Sequence, residues 1–391
     1  MFIWVWGCGM KTKIIKLGEV CEVVSGTTPR SDIAEYWDGC IKWITPAELS
    51  SDCFIVEDSV RHITELGVKE ASLRSFPAGT VILSSRAPIG KTAIAGCEMY
   101  CNQGFKNLIC SEMIDNQYLY FFLSGKTEYL KALGRGATFK EISKSIVESI
   151  EIPLPEIATQ RFIAKQFRKV DNIRLLRCKQ LEILDLFVKS RFIEMFGDPQ
   201  ANPMQWAIVT IGSVVASSES GWSGNGKQRE RKDGEIAVLK VSAVTKGYFI
   251  PSECKVLDDQ EHIKKYVFPR QGDLLFSRAN TREMVGATAI VNEDYPELIL
   301  PDKLWRIKFT MDTNVQYMKH ILSSKTIRDI FSATSTGTSG SMYNVSADKF
   351  RATRIPLPPL TLQTQFADFV AQVDKSKFEI QKSLEKLETL K

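Results

Sequence analysis

The sequence has 391 residues, with 51 Lys and Arg against 46 Asp and Glu, which leaves a net charge of +5. Because 44% of the residues are hydrophobic and 10% are aromatic, the chain can form well-packed cores, and a disordered or collagen-like protein is excluded. The longest apolar stretch, residues 1–6, is far shorter than the roughly 20 residues that a membrane span needs. We therefore expect a soluble, cytoplasmic protein of two or three domains without a membrane segment.

The nine cysteines are scattered along the chain, odd in number and without paired CxxC spacing. Such a distribution is typical of a reducing compartment rather than of a disulfide framework. Cys97 and Cys101 are the closest in sequence, but no histidine lies near them. No metal site is predicted.

In chain order, an N-terminal extension (1–12) comes before a first globular domain (13–151). This domain contains short β-rich runs, such as residues 79–83, separated by Gly, Pro and Asn, and a helix-like segment near 115–133. The pattern predicts an α+β domain. At its end, the run Ile-Pro-Leu-Pro at 152–155 stops a strand, because the residue before a proline is restricted to extended conformations.

A long helix is predicted in the next segment, 152–198. No proline or glycine occurs between residues 158 and 196, which corresponds to a helix on the order of 58 Å. Its apolar residues recur in steps of three and four, as in a coiled coil. They are Ile163, Phe167, Val170, Leu181, Leu184 and Phe187.

The second half of the chain, a domain at 199–354 followed by a tail at 355–391, repeats the first half. Between residues 152–188 and 355–391, twelve of 37 aligned positions are identical without a gap. Weaker matches come before each tail in the same order, including Ser-Arg-Ala at 85–87 and at 277–279, and a second helix-like segment near 313–331. The chain is therefore a duplicated module, in which each copy is a globular domain followed by a helix.

The two tails are expected to pair with each other. A helix of this length cannot be buried on one small domain, and the second tail carries a matching apolar stripe, so we predict an antiparallel coiled coil. The alternative is that each helix lies along its own domain. An antiparallel pair would hold two similar domains about a pseudo-twofold axis, and such a spacer suits two DNA half-sites about 34–36 Å apart.

At this point the sequence resembles the specificity subunits of type I restriction-modification enzymes. The resemblance rests on the duplicated Pro-Leu-Pro and the glutamine after it (Gln160 and Gln363), on the joining sequence 192–199, and on segments 17–20 and 79–86. It implies two duplicated α/β target-recognition domains separated by an antiparallel coiled coil of two long helices. The sequence departs from the family pattern in the second tail, which has no counterpart of residues 189–196.

The resemblance also implies a non-catalytic subunit. Each domain would read one half of a bipartite site in double-stranded DNA. The helices would set the spacer and bind two methyltransferase (modification) subunits, and through them the restriction and translocase subunits.

The candidate DNA-binding residues are basic or amide side chains clustered in loops, because affinity depends on phosphate contacts and specificity on Arg, Asn and Gln at base edges. In the first domain these are Arg30, Lys42, Ser85, Arg86, Lys91 and Lys106. In the second domain they are Lys227, Gln228, Arg229, Arg231, Ser277, Arg278, Asn280 and Arg282. Loops at 134–138 and 334–341 could also bind phosphates through backbone N–H groups. A single surface Arg or Lys is more often only solvated.

No catalytic residue and no cofactor are predicted. Residues 87–92 resemble the end of a phosphate-binding loop, but Ser85 stands where that motif requires glycine. The sequence lacks an Asn-Pro-Pro-aromatic motif for adenine methylation, and its three histidines lie in no recognisable catalytic arrangement. Two alternatives stay open: a stand-alone DNA-modifying enzyme, and a protein-binding scaffold with duplicated domains.

Overall fold

The computed structural model describes residues 12–50, 53–136, 140–336 and 342–389. The chain divides into two compact units, one formed by residues 1–177 and 383–391 and the other by residues 178–382. Both units contain helices and sheets, as the α+β prediction requires. The finer division into five segments stays a prediction. No helix within the described ranges combines the length and the apolar character that crossing a membrane requires.

In the first unit, three sheets have the orders β1-β10, β2-β9-β6-β7-β4 and β5-β3-β8. Their strands are β1 (Lys13–Lys16), β2 (Cys21–Ser25), β3 (Trp37–Ile44), β4 (Ile55–Val56), β5 (Arg61–Ile63), β6 (Val81–Leu83), β7 (Thr92–Ala95), β8 (Tyr100–Cys101), β9 (Lys106–Cys110) and β10 (Glu151–Leu154). The central strands β6 and β7 are buried throughout, so the core of this unit lies against the middle of the five-stranded sheet.

In the second unit, four sheets have the orders β11-β22, β12-β20-β16-β18, β13-β15-β14-β19 and β17-β21. Their strands are β11 (Ala207–Thr210), β12 (Val215–Ser220), β13 (Gly226–Lys227), β14 (Ala237–Leu239), β15 (Cys254–Leu257), β16 (Leu274–Ser277), β17 (Ala279–Asn280), β18 (Thr288–Ile290), β19 (Leu298–Ile299), β20 (Leu304–Phe309), β21 (Tyr343–Asn344) and β22 (Arg354–Leu357).

Eleven α-helices occur in the described residues, and most are short. They are α1 (Leu17–Val20), α2 (Glu65–Glu70), α3 (Asn116–Ser124), α4 (Thr127–Leu133), α5 (Lys144–Glu148), α6 (Ile157–Phe196), α7 (Ile211–Val214), α8 (Val315–Ser323), α9 (Lys325–Thr334), α10 (Ala347–Ala352) and α11 (Leu360–Glu388). Helix α6 has 40 residues and α11 has 29. The long uninterrupted helix predicted from the absence of proline and glycine is confirmed, and the second helix is shorter.

The same hydrogen bonds join domain and helix in both copies of the repeat. Gln160 and Gln363 are fully buried. The Gln160 Nε2 donates to the carbonyl of Pro155 at 2.8 Å, and the Gln363 Nε2 donates to that of Pro358 at 2.8 Å. Each side-chain oxygen accepts from the backbone N–H of the residue before α3 or α8, Asp115 at 2.9 Å and Asn314 at 2.8 Å. The glutamine after each Pro-Leu-Pro thus fixes the start of a long helix to its domain.

Within the second unit, residues 178–196 of α6 pack antiparallel against residues 360–382 of α11. The rings of Phe192 and Phe366 are 5.4 Å apart, and those of Phe187 and Phe369 are 5.1 Å apart. Further on, Lys377 Nζ donates to Asp185 at 2.6 Å. Residue numbers fall on one helix as they rise on the other, which is antiparallel packing. A coiled coil along the whole of both helices stays a prediction.

His320 of α8 packs between aromatic residues of these two helices. The centroid of its ring lies 6.0 Å from that of Phe192 and 4.9 Å from that of Phe366. Burial, and then the positive charge of Lys319, lower the pKa of His320 to about 3, and the charges of Lys377 and Lys189 act in the same direction. The imidazole is therefore neutral in the folded protein at neutral and mildly acid pH.

We expect the free energy of unfolding to fall less steeply with decreasing pH in His320→Gln than in the wild type. Between the unfolded pKa of 6.5 and the folded pKa of about 3, only the unfolded chain takes up the proton, so stability falls as pH falls through this range. The histidine contributes a slope of up to about 1.4 kcal/mol per pH unit. Urea unfolding between about pH 7 and pH 4.5 measures it; equal slopes for variant and wild type would contradict the assignment.

Candidate nucleic-acid interface

Backbone hydrogen bonds fix how the two copies correspond near the candidate residues. Gly90 N donates to the carbonyl of Ser84 at 3.0 Å, and Gly286 N donates to that of Ser277 at 2.7 Å. Ser84 is therefore the counterpart of Ser277, and the pairing of Ser85-Arg86 with Ser277-Arg278 expected from the repeated letters was wrong by one residue. The correspondence is set by the turn before each strand. Gly79 comes before β6 and Gly272 before β16, both with positive φ, and Ser84 and Ser277 each lie five residues after their glycine.

One charged cluster in the first unit joins residues far apart in sequence. Glu141 accepts hydrogen bonds from Arg86 Nε at 2.8 Å and from Lys106 Nζ at 3.1 Å. Partial burial disfavours its charged form, but these hydrogen bonds and positive charges outweigh burial and lower the pKa of Glu141 below its usual value. The Arg86 side chain is 43% exposed and that of Lys106 only 8%. Glu141 thus fixes a guanidinium that still reaches the surface.

The equivalent place in the second unit carries different residues. The cross-strand pair Arg86–Glu141 of the first unit corresponds to the pair Ala279–Asn344 of the second. Likewise, the pair Ser84–Phe105 corresponds to the pair Ser277–Leu304. Counting on by one residue, Trp305 takes the place of Lys106. The three equivalent positions therefore hold Arg, Lys and Glu in the first unit but Ala, Trp and Asn in the second.

Arg278 occupies a separate position in the second unit. Its guanidinium carbon lies 5.7 Å from the ring centroid of Trp305. The Nε atom is buried without a hydrogen-bond partner among the described residues. Arg282 lies nearby with its guanidinium carbon 6.0 Å from the ring centroid of Tyr343, which is paired across strands with Asn280. Asn280 thus lies in the small sheet β17-β21, with Arg278 just before β17 and Arg282 two residues after it.

Several other candidates are held by the protein itself. Lys42 Nζ donates to the carbonyl of Glu57 at 2.6 Å, and Lys91 Nζ donates to that of Pro46 at 3.3 Å. Arg30 is exposed but pairs with Asp32 at 2.8 Å. The lysines therefore bind loop carbonyl groups of their own unit.

The serines and Lys106 lie inside the protein. Ser85 and Ser277 are completely buried, and each hydroxyl oxygen lacks a hydrogen-bond partner among the described residues. Lys106 as a whole residue is 6% exposed. Ser277 ends β16, Lys106 begins β9 and Ser85 lies two residues after β6. All three side chains are covered by the core of their unit.

Both arginines of the glycine-rich loop at 224–232 are paired with glutamates. Arg229 makes a two-pronged ion pair with Glu235, with both N···O distances 2.7 Å, and Arg231 lies 3.4 Å from Glu297. Gln228 accepts a hydrogen bond from Lys240 at 3.3 Å. Lys227 is exposed on β13.

Parts of the two predicted phosphate-binding loops lie outside the described residues, at 137–139 and 337–341. Each loop is followed by a serine that caps a short helix. The oxygens of Ser143 and Ser346 each accept from a backbone N–H at 3.3 Å, at α5 and α10.

Sequence reasoning missed Glu141 as part of the candidate site. It is separated from Arg86 by 55 residues and from Lys106 by 35. No local pattern marks such a residue, because only the fold brings the three together. Among the described residues no group of His, Cys, Asp and Glu is arranged to hold a metal ion.

Comparisons with known proteins give a consistent result. Residues 10–185 and 203–391 each match the family described as type I restriction modification DNA specificity domain. The type I restriction enzyme MjaIX specificity subunit of Methanocaldococcus jannaschii is 37% identical over 257 residues, 61% of this chain and 59% of that relative. The EcoKI specificity subunit of Escherichia coli K12 is 24% identical over 307 residues, 74% of this chain and 65% of that relative. The chain thus covers less than two thirds of either relative.

Two solved structures share the fold. One, from work on complex assembly and conformational transition of the type I R-M system, has a TM-score of 0.58 at 20% identity and covers 97% of this chain and 95% of its own. The other, the type I restriction-modification S subunit from M. genitalium, has a TM-score of 0.53 at 13% identity, with coverages of 98% and 94%. With two family matches spanning nearly all of the sequence, the chain belongs to the type I restriction-modification DNA specificity family.

Proposed function

We propose that this chain is the non-catalytic DNA sequence-recognition subunit of a type I restriction-modification complex and acts in the cytoplasm. Each α/β domain reads one half of a bipartite target, and partner subunits carry out methylation and cleavage. The observation that carries the proposal is the contrast between equivalent positions: Arg86, Lys106 and Glu141 in one unit, and Ala279, Trp305 and Asn344 in the other. One fold with different polar groups at one place suits two different half-sites.

In the first unit, Arg86 is the proposed base-reading residue. The hydrogen bond from its Nε to Glu141 fixes the guanidinium plane, and the terminal amino groups of an arginine form the fork that reads guanine O6 and N7 in the major groove. Lys106 is a positioning residue, because it is buried and neutralises the second oxygen of Glu141. Ser85 is proposed as a supporting residue of the same turn.

In the second unit, Arg278, Asn280 and Arg282 are the proposed base-reading group. The indole of Trp305 supports the Arg278 guanidinium from one side, and an asparagine can read adenine through two hydrogen bonds. Ser277 lies in the buried strand beneath them. The remaining candidates are proposed as phosphate contacts: Arg30, Lys42, Lys91, Lys227, Gln228, Arg229 and Arg231. Those that already contact another group of the protein would have to exchange that contact for a phosphate: Arg30, Lys42, Lys91, Arg229 and Arg231.

The long helices are proposed as the spacer and as the docking surface for two modification subunits, through which restriction subunits join. In the second unit, Ile183, Leu186 and Ile193 of α6 are exposed. Their spacing of three and seven residues puts them on one helix face. An apolar stripe on an exposed helix suits a helical or grooved partner surface. The first reader would be segment 13–151, followed by the first spacer helix in segment 152–198. The second reader would be segment 199–354, followed by the second spacer helix in segment 355–391.

We expect Arg86→Ala to weaken DNA binding by about 1–3 kcal/mol at one base pair of one half-site. The target is found first, by mapping methylated adenines in the host genome with and without the gene. The complex of this chain with its modification subunits is then titrated into labelled duplexes in which each base pair is varied. Arg74→Ala is the matched control, because Arg74 is exposed in the same unit and pairs with Glu22 at 2.6 Å. Equal weakening on every duplex would contradict base reading by Arg86.

The same complex separates the proposal from its alternatives. A DNA reader loses affinity steeply with salt, because phosphate contacts release counterions. A protein-binding scaffold would show no salt-dependent DNA affinity. A stand-alone enzyme would methylate or cut DNA when the purified chain alone is given S-adenosylmethionine and Mg²⁺.

A further inference from the structure

Two cysteines of the first unit face each other across neighbouring strands. In the antiparallel pair β2-β9, Cys21 lies directly opposite Cys110. Cys21 is 7% exposed, whereas Cys110 is only partly buried, and both belong to the packing of the same core. Residues directly opposite each other in a sheet place their side chains on the same face, so the two thiols are neighbours although 89 positions separate them in the sequence.

The hydrogen-bonding pattern shows which kind of pair this is. Ser111 N donates to the carbonyl of Val20 at 2.9 Å. This hydrogen bond joins the residue before Cys21 to the residue after Cys110, so Cys21 and Cys110 themselves form a non-hydrogen-bonded pair. In such pairs the Cα atoms are about 4.5 Å apart and the side chains approach most closely. A disulfide needs Cα atoms about 4.4–6.8 Å apart. The backbone therefore meets the requirement without moving.

The proximity of Cys110 also bears on the protonation of Cys21. A hydrogen bond with the Cys110 thiol, together with burial, raises the pKa of the Cys21 thiol well above its usual value. The equivalent place in the second unit gives a comparison within the molecule. There Thr310 N donates to the carbonyl of Val214 at 2.9 Å, and the pair between the strands is Val215 and Phe309. The fold accepts an apolar pair at this place, so it does not itself require two thiols.

We propose that Cys21 and Cys110 form a redox-sensitive pair that oxidises reversibly to a disulfide. The cross-link would join β2, which lies at the edge of its sheet, to the adjacent strand β9. Strand β9 begins at Lys106, and β2 leads into the loop that carries Arg30. Oxidation would thus hold the edge strand β2 covalently to the rest of the five-stranded sheet of the first unit. In the second unit the equivalent apolar pair leaves that edge insensitive to oxidants.

The oxidant is a small disulfide such as glutathione disulfide. The Cys110 thiolate, the more accessible of the two, attacks one sulfur, and a glutathione thiolate leaves. Cys21 then gives up its proton to solvent and attacks the Cys110 sulfur of the mixed disulfide, releasing the second glutathione. Two protein thiols lose two electrons in total, and one glutathione disulfide becomes two glutathione molecules. A reductant such as dithiothreitol reverses both steps.

The test uses the folded full chain, equilibrated near pH 8 with glutathione redox buffers and then alkylated. We expect the oxidised chain to carry two alkyl groups fewer than the same chain alkylated after full reduction, because the two linked sulfurs cannot react. Peptide mapping without reductant should identify one linked peptide, Cys21 to Cys110. The thermal midpoint should rise by several degrees on oxidation, because a loop of roughly 90 residues is closed in the unfolded chain. The experiment needs no DNA, so its outcome is independent of the proposed function.

Two variants sharpen the test. Cys21→Ser should abolish the linked peptide and the rise in midpoint. Cys254→Ser, which removes a partly buried thiol from a strand of the second unit, should leave both unchanged. Mapping of the wild-type chain decides the matter even if Cys21→Ser does not fold. A linked peptide between other cysteines, or none under oxidising buffer, would overturn the proposal.

Discussion

We expect Phe366→Ala to lower the free energy of unfolding by about 3–5 kcal/mol, the usual cost of truncating a buried phenylalanine. Phe366 is completely buried. Its ring centroid lies 5.4 Å from that of Phe192, 5.5 Å from that of Phe196 and 4.9 Å from that of His320. The substitution would open a cavity where helices α6, α8 and α11 meet.

The matched control is Phe378→Ala, a change of the same size on the same helix. The Phe378 side chain is 61% exposed, so its truncation should alter stability by no more than about 0.5 kcal/mol. Urea unfolding followed by circular dichroism measures both. A loss below about 1 kcal/mol for Phe366→Ala would mean that the aromatic cluster does not hold the second domain to its helices.

We expect Gln363→Leu to cost about 2–4 kcal/mol of stability, because it leaves two buried backbone groups without hydrogen bonds. These are the carbonyl of Pro358 and the N–H of Asn314, each now 2.8 Å from the Gln363 side chain. Leucine is similar in size, so the effect isolates the lost hydrogen bonds rather than a cavity.

Gln365→Leu is the control for this substitution, two residues further along the same helix on its exposed side. We expect a change within about 0.5 kcal/mol. Gln160→Leu should repeat the loss in the first unit, because its side chain bonds the equivalent groups. If Gln363→Leu and Gln365→Leu proved equally mild, the buried glutamine would not be the joint between domain and helix.

This joint matters for the proposed function. A spacer can set the distance between two half-sites only if each reader is fixed to its helix. The glutamine accepts from the residue that caps α3 or α8 and donates to the proline at the helix start. Both glutamines are buried, so the connection is protected from competition by water.

How far the fold could be predicted depends on the kind of signal. The 40-residue helix α6 followed from a run without helix breakers, and the α+β character followed from short strands between turn residues. These are local effects of backbone preference. The repeat was visible because twelve identical residues keep one spacing. The alignment of the two copies near Ser277 was wrong by one residue. The recurring sequence Ser-Arg-Ala does not show how many residues separate each serine from the glycine turn before its strand.

The candidate interface was less predictable. Arg86 was singled out by residue type, but its partner Glu141 was not, because contacts across 55 residues leave no local pattern. Lys106 and both predicted serines proved to be buried, because the local sequence does not show whether a strand end, or the turn after it, is covered by the rest of the domain. The opposed thiols Cys21 and Cys110 were likewise invisible, because strand register decides which cysteines meet.

By itself the sequence determined the duplication, the long helices and the class of domain, because these follow from residue spacing and from the conformational limits of proline and glycine. Only the tertiary structure decided which charges pair, which are buried and how the copies correspond. The reason is that ion pairs and cross-strand neighbours form between residues distant in the chain. Their identity depends on how the sheets are ordered and packed.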